Sequence, residues 1–307
     1  METTDKELGR DFKMLIGVES DGDYLKDVTL LPSNGIAEKV ILRKSPEKPS
    51  TWMAKVISIS VESIGNANVG GKCREEFQRK HSFDIPRVVL NLPFFEANNL
   101  LVEIHRRVWD SKFPDSNYMC VHCGNRGTAT VDLNKVDYTE EDKEKFLNPE
   151  FMDEDGFMRR SVDLTHSILK VPSVKSMSAN SDSTLFGEAS GEPVKSLVFR
   201  VPTLGDLINN EKHQSDEVTM WRKVAFDCLV SLEVFKDGEL VKVSGDMFKD
   251  VVQNKLFDQL LDRKDLSKIR EAMRENFPYL PFNHDIACGN CGEDTPIILS
   301  PDDFFGE

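Results

Sequence analysis

The chain has 307 residues, enough for one large domain or two ordinary ones, so core size does not limit folding. An apolar fraction of 39% with 19 phenylalanines is typical of a globular protein and excludes a largely disordered one. The net charge of −14 disfavours general binding to nucleic acid, because the longest basic clusters are short pairs such as Arg106-Arg107 and Arg159-Arg160.

The first thirty residues contain no basic start followed by an apolar run, and no apolar stretch approaches the roughly 20 residues that cross a bilayer. We therefore expect a protein that stays in the compartment where it is made and has no membrane partner. In a reducing compartment its six cysteines are not expected to form disulfides. Cys73 and Cys228 stand alone, and Cys228 is expected to be a small core residue.

Residues 1–136 are predicted to form a β-rich N-terminal region. Residues 24–31 are interpreted as a strand that ends at a Pro-Ser-Asn-Gly turn signal, and 36–42 as a second, loosely alternating strand. Residues 53–61 alternate apolar and small polar side chains and are interpreted as a third strand. A helix is predicted over 96–109, because its apolar residues recur at helical spacing.

Residues 137–196 are predicted to be an acidic segment followed by a linker. Between positions 140 and 155 there are eight acids against two lysines, which is typical of a solvated helix and loop. Residues 173–196 contain seven serines with glycine and proline, a composition that favours a linker or an exposed loop.

Residues 197–307 are predicted to be mainly helical. The region opens with a strand at 197–201, and Thr203 is expected to cap a short helix over 204–210. Two longer helices are expected to follow, the second over 245–276, with a hairpin turn at Asp237-Gly238 between them. The apolar stripe of the first longer helix consists of Val218, Trp221, Val224, Ala225, Cys228, Leu229 and Leu232.

Four cysteines carry the clearest chemical signal. Cys120 and Cys123 form one C-x-x-C-G motif, and Cys288 and Cys291 form another, each followed by a short β segment. A two-residue gap lets both thiolates of a pair face one metal ion, and the following glycine accepts the backbone turn. The pairs therefore predict two zinc knuckles that together bind one structural Zn²⁺ ion through four cysteines, as in a zinc ribbon. We expect an α+β fold, with the β-rich N-terminal part and the helical C-terminal part joined by this ribbon.

Other interpretations of the pairs remain open. Chance is one, although two pairs that are each followed by glycine are rare. A redox pair is another, but such a pair opens a helix, and Gly292 and Pro296 are a poor helix start. The spacing is unusual for a ribbon, since 164 residues separate Cys123 from Cys288. The residues between the knuckles must then be an insertion.

No enzyme motif is found, whether for metalloproteases, phosphate-binding loops, nucleophile elbows, dinucleotide binding or zinc deaminases. We therefore expect a protein without catalytic or cofactor-binding residues. The six histidines are scattered. His122 and His284 lie next to the cysteine pairs and are expected either to support the metal ligands or to be ordinary surface residues.

The order of three motifs resembles a known family. These motifs are Leu31-Pro32-Ser33-Asn34-Gly35, the first cysteine pair with a short strand ending at Asp132-Leu133, and a terminal segment from Cys288 to Phe305 with a Phe-Phe ending. Together they resemble the baseplate hub assembly chaperones of T4-type contractile-tailed phages. The resemblance implies a non-enzymatic protein that contacts baseplate hub proteins in the cytoplasm of the infected bacterial host.

Two alternatives to the chaperone are kept. One is a structural baseplate subunit retained in the virion, and the other is a zinc-ribbon regulator or nucleic-acid adaptor, which the net charge of −14 disfavours.

Overall fold

A computed structural model describes residues 9–20, 23–41, 48–110, 112, 116–140, 168–172, 194–200, 202–211, 217–236, 239–243, 267, 269 and 283–298. The chain divides into two compact units. The first unit combines Met1–Pro149 with Pro278–Glu307, and the second unit is Glu150–Phe277. Within the described ranges, no helix has both the length and the hydrophobicity of a membrane span.

The first unit begins with a four-stranded antiparallel sheet in the order β1-β2-β3-β4. Its strands are β1 (Asp11–Ser20), β2 (Asp23–Leu30), β3 (Val61–Ile64) and β4 (Ala67–Asn68). The predicted strand at 24–31 is β2. The β1–β2 register shifts between Lys13 and Val18, and Gly17 within this bulge has φ +96°. Glycine is required there on two grounds, because a Cβ atom would also lie 2.5 Å from the carbonyl oxygen of Leu25.

Among the described residues of the first unit, five α-helices pack with this sheet or with one another. They are α1 (Gly35–Ile41), α2 (Pro49–Ser60), α3 (Gly70–Lys80), α4 (Arg87–Leu90) and α5 (Phe94–Ile104), and α5 continues as a π-helical turn over His105–Trp109. The predicted helix over 96–109 is confirmed by α5 and this turn.

Two predicted strands are wrong, because 36–42 lies mostly in α1 and 53–61 mostly in α2. The Asn34 side chain caps α1 by accepting hydrogen bonds from the N–H groups of Ile36 and Ala37, at 3.1 and 3.0 Å. In α2 every residue from Met53 to Ala54 and from Val56 to Ser60 is buried. A run buried on all sides loses the periodicity that separates a helix from a strand.

Helix α5 carries a buried carboxyl group that binds the edge strand β1. Glu96 is 1% exposed, and its Oε1 accepts hydrogen bonds from the N–H groups of Ile16 at 2.6 Å and Gly17 at 3.0 Å. Burial raises the pKa of Glu96 from 4.5 to about 7, against the lowering effect of these two bonds and of Lys26. The side chain thus satisfies backbone donors that the bulge leaves out of the β1–β2 ladder.

The second unit contains a four-stranded antiparallel sheet in the order β10-β9-β8-β7. Its described elements are β7 (Ile168–Pro172), β8 (Val194–Arg200), α6 (Leu204–Glu211), α7 (Glu217–Cys228), β9 (Leu229–Lys236) and β10 (Glu239–Val243). Thr203 caps α6 as predicted, since its Oγ1 accepts a hydrogen bond from the Asp206 N–H at 3.3 Å.

The predicted hairpin near 237–238 is confirmed by the pairing of Lys236 with Glu239. The predicted apolar stripe, however, crosses from a helix into a strand, because α7 ends at Cys228 and Leu229 opens β9. The predicted helix over 245–276 falls almost wholly outside the described residues, as do most of the acidic segment and the linker.

The α+β class is confirmed. The division into 1–136, 137–196 and 197–307 stays a prediction, because most of its middle region lies outside the described residues. The two compact units of the structure have other boundaries than this predicted division, because the second cysteine pair lies in the same unit as the N-terminal residues.

The buried carboxyl of Glu96 predicts that the first unit is more stable in mild acid than at neutral pH. Its folded pKa of about 7 lies above its ordinary value of 4.5. The stabilising effect of protonation is therefore complete below the lower value and is lost as the pH rises through the upper one, by on the order of 3 kcal/mol. We expect Glu96→Gln to weaken this pH dependence of the free energy of unfolding, measured by urea denaturation between about pH 5 and pH 8.

A Trp221→Phe background makes tryptophan fluorescence report on the first unit, because the two other tryptophans, Trp52 and Trp109, lie there. The exposed Glu62→Gln on β3 is the matched control and is expected to keep the wild-type pH dependence. Equal pH dependence in both variants would contradict the role of Glu96.

Candidate metal centre

The first cysteine pair lies in the turn of a hairpin. Strand β5 (Ser116–Met119) pairs with β6 (Arg126–Ala129), and Cys120 follows β5 directly. The N–H of Cys120 donates to the Asn125 carbonyl at 2.8 Å, and the N–H of Gly124 donates to the Cys120 carbonyl at 2.9 Å. These bonds fold the turn so that both cysteines lie on the same loop.

The second pair repeats this construction. Strand β11 (Asn283–Ala287) pairs with β12 (Asp294–Ile298), and Cys288 follows β11 directly. Its N–H donates to the Glu293 carbonyl at 2.9 Å, and the N–H of Gly292 donates to the Cys288 carbonyl at 2.8 Å. The predicted β segment after each pair is therefore present as β6 and β12.

The glycine that follows each pair is explained by backbone conformation. Gly124 has φ +70° and Gly292 has φ +76°, both in the left-handed region. An added Cβ atom would meet no atom within 4 Å at either position, so space does not demand glycine there. The left-handed backbone conformation demands glycine, because this conformation costs a non-glycine residue roughly 1–2 kcal/mol.

The structure brings all four predicted cysteines together. The Sγ atoms of Cys120, Cys123, Cys288 and Cys291 all lie within 4.8 Å of one another. Cys120 Sγ is 3.6 Å from Cys291 Sγ, and Cys123 Sγ is 3.8 Å from Cys288 Sγ. A tetrahedral ion with metal–sulfur distances of about 2.3 Å places its sulfur ligands about 3.8 Å apart. The donor set therefore fits a tetrahedral ion, for which four thiolates favour zinc or iron.

Hydrogen bonds to sulfur favour the thiolate forms of the two buried cysteines, Cys120 and Cys288. The Thr295 hydroxyl, fully buried, donates to Cys120 Sγ at 3.2 Å, and the N–H of Asn290 donates to Cys288 Sγ at 3.4 Å. The bond from Thr295 is the main cause of a Cys120 pKa of about 5. The N–H groups of Cys291 and Asn290 lower the pKa of Cys288.

The two hairpins contact each other beyond the sulfur atoms. The N–H of Gly289 donates to the Tyr118 hydroxyl oxygen at 3.2 Å. Tyr118 also packs against a buried cluster that includes residues of α5, of the segment after β6 and of β12, namely Val102, Val131, Leu133, Val136 and Ile297. The sulfur cluster thus lies at the end of a shared apolar core.

The cluster is half-open to solvent. Cys120 and Cys288, each the first cysteine of its pair, are buried at 2% exposure, whereas Cys123 and Cys291 are exposed. His122 is exposed, and its Nε2 lies 3.1 Å from the Asp294 carbonyl oxygen. This ring nitrogen therefore contacts the backbone of the second hairpin and not a sulfur atom. His284 lies in β11.

The two remaining cysteines lie apart from this cluster. Cys73 is buried in α3, and Cys228 is buried at the end of α7, as expected of a small core residue. Burial raises the pKa of Cys73 to about 11, which keeps it a neutral thiol.

The redox interpretation lacks its structural basis within the described residues. Each pair lies in a turn between two strands, so no helix N-terminus faces either cysteine.

Sequence reasoning missed three residues at this site: Tyr118, Asn290 and Thr295. Tyr118 and Thr295 have no counterpart at the matching position of the other hairpin. No motif could have identified Tyr118 and Thr295, because their roles depend on the contact between hairpins that are far apart in the chain, whereas the Asn290 N–H bond to Cys288 is local to its own turn.

The Thr295 hydroxyl predicts a measurable effect on metal affinity. Thr295→Val removes the donor to Cys120 Sγ and keeps the side-chain shape, so we expect Co²⁺ to bind about tenfold more weakly. The measurement is titration with Co²⁺, followed by its thiolate charge-transfer absorption. Thr295→Ser keeps the hydroxyl and should bind Co²⁺ like the wild type. Equal affinity of the valine variant and the wild type would show that this hydrogen bond does not support the centre.

Comparison with known proteins identifies a family. No curated protein and no solved structure gives a significant match to the chain. A family model described as T4 bacteriophage base plate protein matches residues 78–306, which is more than half of the chain and includes both cysteine pairs. The Leu31-Pro32-Ser33-Asn34-Gly35 element lies outside the match. The chain belongs to the T4 bacteriophage base plate protein family.

Proposed function

We propose that this protein is an assembly chaperone of the phage baseplate hub, which acts through contacts with hub proteins and is stabilised by one zinc ion. The observation that carries the proposal is the family match over residues 78–306. The order of the cysteine pairs and the terminal segment supports the chaperone role in particular, through the resemblance to hub assembly chaperones. The site of action is the cytoplasm of the infected host.

A role without catalysis agrees with the donor set. A catalytic zinc site keeps one coordination position open for water or substrate, whereas four cysteines fill a tetrahedral ion. The cluster also lies in turns that join strands of two hairpins, which is the position of a structural ion.

The charge argues against a nucleic-acid adaptor. With a net charge of −14, the chain is repelled by packaged DNA unless a local basic surface compensates. A protein partner does not carry the uniform negative charge of DNA, so contact with proteins is not disfavoured in the same general way.

The proposed zinc ion predicts a metal content of one zinc per chain. We expect this stoichiometry from mass spectrometry of metals in protein that is purified without chelator. Cys288→Ser removes one of four ligands and should lower both the zinc content and the thermal midpoint. Cys73→Ala, at a buried thiol outside the cluster, is the control and should keep the zinc. Wild-type protein without zinc, with all four clustered thiols titrating freely, would refute the zinc centre. Iron in place of zinc would show that the four cysteines bind iron and would refute the choice of zinc.

The chaperone proposal predicts that the protein is abundant in infected cells and absent from finished particles. The measurement is quantitative mass spectrometry of infected-cell lysate and of purified phage. An assembly factor leaves after it has acted, so a ratio to known baseplate subunits far below one per particle is expected. A fixed stoichiometry in purified particles would refute the chaperone role and assign the chain as a structural baseplate subunit.

A further inference from the structure

The hairpin formed by β5 and β6 has two different faces. Tyr118 and Ala129 pack against the core cluster, and Gly127, opposite Tyr118, is half-buried. The register places Met119 opposite Arg126, and Asn117 opposite Thr128. Because directly opposed residues lie on the same face of an antiparallel pair, these four side chains share the outer face. All four are exposed.

Two large apolar side chains occupy this outer face and its end. Met119 is 61% exposed and Val121 is 66% exposed, and they flank the buried Cys120. A hairpin with one face on the core normally alternates apolar and polar residues, so its outer position 119 would be polar. Solvated apolar side chains are common singly, but two that flank one buried cysteine in this way favour a contact surface.

The charge on this face is opposite to that of the chain. Between residues 116 and 129 the only formally charged residue is Arg126, although the whole chain carries −14. Arg126 forms no ion pair with any residue that the structure describes. A partner that covers Met119 and Val121 would therefore be favoured if it brought a carboxylate to Arg126.

A second copy of this chain fits the face poorly. A two-fold contact through the same surface would offer Arg126 no carboxylate of the other copy, because there is no acid between residues 116 and 129. The charge therefore favours a different partner protein.

The face is held in a fixed shape before any partner binds. Gly127 lets the Tyr118 ring lie against the strand, since a Cβ atom there would be 2.8 Å from that ring. The Tyr118 hydroxyl accepts the hydrogen bond from the second hairpin, and the Cys120 turn is closed by two backbone bonds. A preformed surface loses less conformational entropy on binding.

We propose that this outer face, formed by Asn117, Met119, Arg126 and Thr128, together with Val121 in the adjoining turn, is the surface that docks a baseplate partner. The partner contributes a segment with an apolar side chain next to carboxylates. The inference rests on the proposed function and names the surface through which that function is carried out.

The test measures binding of the purified full-length chain to the purified hub proteins of the same phage by calorimetry. Met119→Asn combined with Val121→Asn should weaken binding by about tenfold or more, because it removes the apolar contact. Arg126→Glu should have a similar effect, and Arg126→Lys should retain most of the affinity. Lys135→Glu makes the same change of charge at an exposed residue outside the face and should bind like the wild type.

Thermal midpoints and far-UV circular dichroism of every variant must match the wild type, so that loss of binding reports on the surface. A photo-crosslinker placed at position 119 provides a second measurement that needs no destabilising change. Crosslinks to an acidic segment of a hub protein support the proposal. Crosslinks confined to this chain, or to a second copy of it, would overturn the proposal.

The two proposals fail in different ways. If the wild type binds a hub protein and the surface variants bind equally well, the docking surface is wrong and the chaperone function stands. If the wild type binds none of the hub proteins, the proposed function fails and the docking surface fails with it.

Discussion

The two cysteine pairs bring together the two chain segments that form the first unit. Cys123 and Cys288 lie 165 positions apart in the chain, but their sulfur atoms are 3.8 Å apart. The entropic cost of such a long closure is modest. It rises by about 0.6 kcal/mol for each doubling of length, so extending the 15 to 20 residues of a simple ribbon to this spacing costs about 2 kcal/mol more. Zinc binding in small peptides releases about 10–16 kcal/mol. A binding free energy of that size would therefore offset the entropic cost of the long insertion between the two pairs. The insertion contains most of the matched family segment and a compact unit of its own.

Helix α5 connects this closure to the N-terminal sheet. At one end Glu96 binds the bulge of β1, and further along Val102 enters the cluster that supports both hairpins. Arg106, in the π-helical turn, donates to the carbonyl groups of Leu133 and Val136, which fixes the segment that leaves β6. Glu103 holds the Arg106 guanidinium in place by a salt bridge. Because one helix contacts the sheet, the core cluster and the exit of the first hairpin, these parts of the first unit are mutually dependent.

Whether a feature could be predicted from the sequence depends on how far apart in the chain its interacting residues lie. The α5 helix and the Thr203 cap depend on residues close in sequence and were predicted correctly, and the two C-x-x-C-G motifs predicted the clustering of the four cysteines. The helices α1 and α2 were mistaken for strands, because burial on all sides of α2 hides its period and because α1 is only two turns long. Two hydrogen bonds could not be predicted, the one from Thr295 to Cys120 Sγ and the one from Gly289 to the Tyr118 hydroxyl. Each joins residues of the two hairpins that lie more than 170 positions apart. At the candidate centre, then, the candidate ligands follow from local spacing, and the hydrogen bonds that join the two hairpins around them follow from the fold.

The exposed apolar face of the first hairpin follows from the same arrangement. A two-stranded hairpin alone is marginally stable in water, and most such hairpins depend on apolar side chains packed against a core. Here the Tyr118 face supplies that packing, and the turn is held by its own backbone bonds and by the sulfur cluster. Met119 and Val121 are exposed and do not belong to this packing, so they are available for the proposed contact with another protein. The proposed structural ion in the turn and the proposed contact surface beside it would then follow from one arrangement, in which metal coordination takes the place of part of a hydrophobic core.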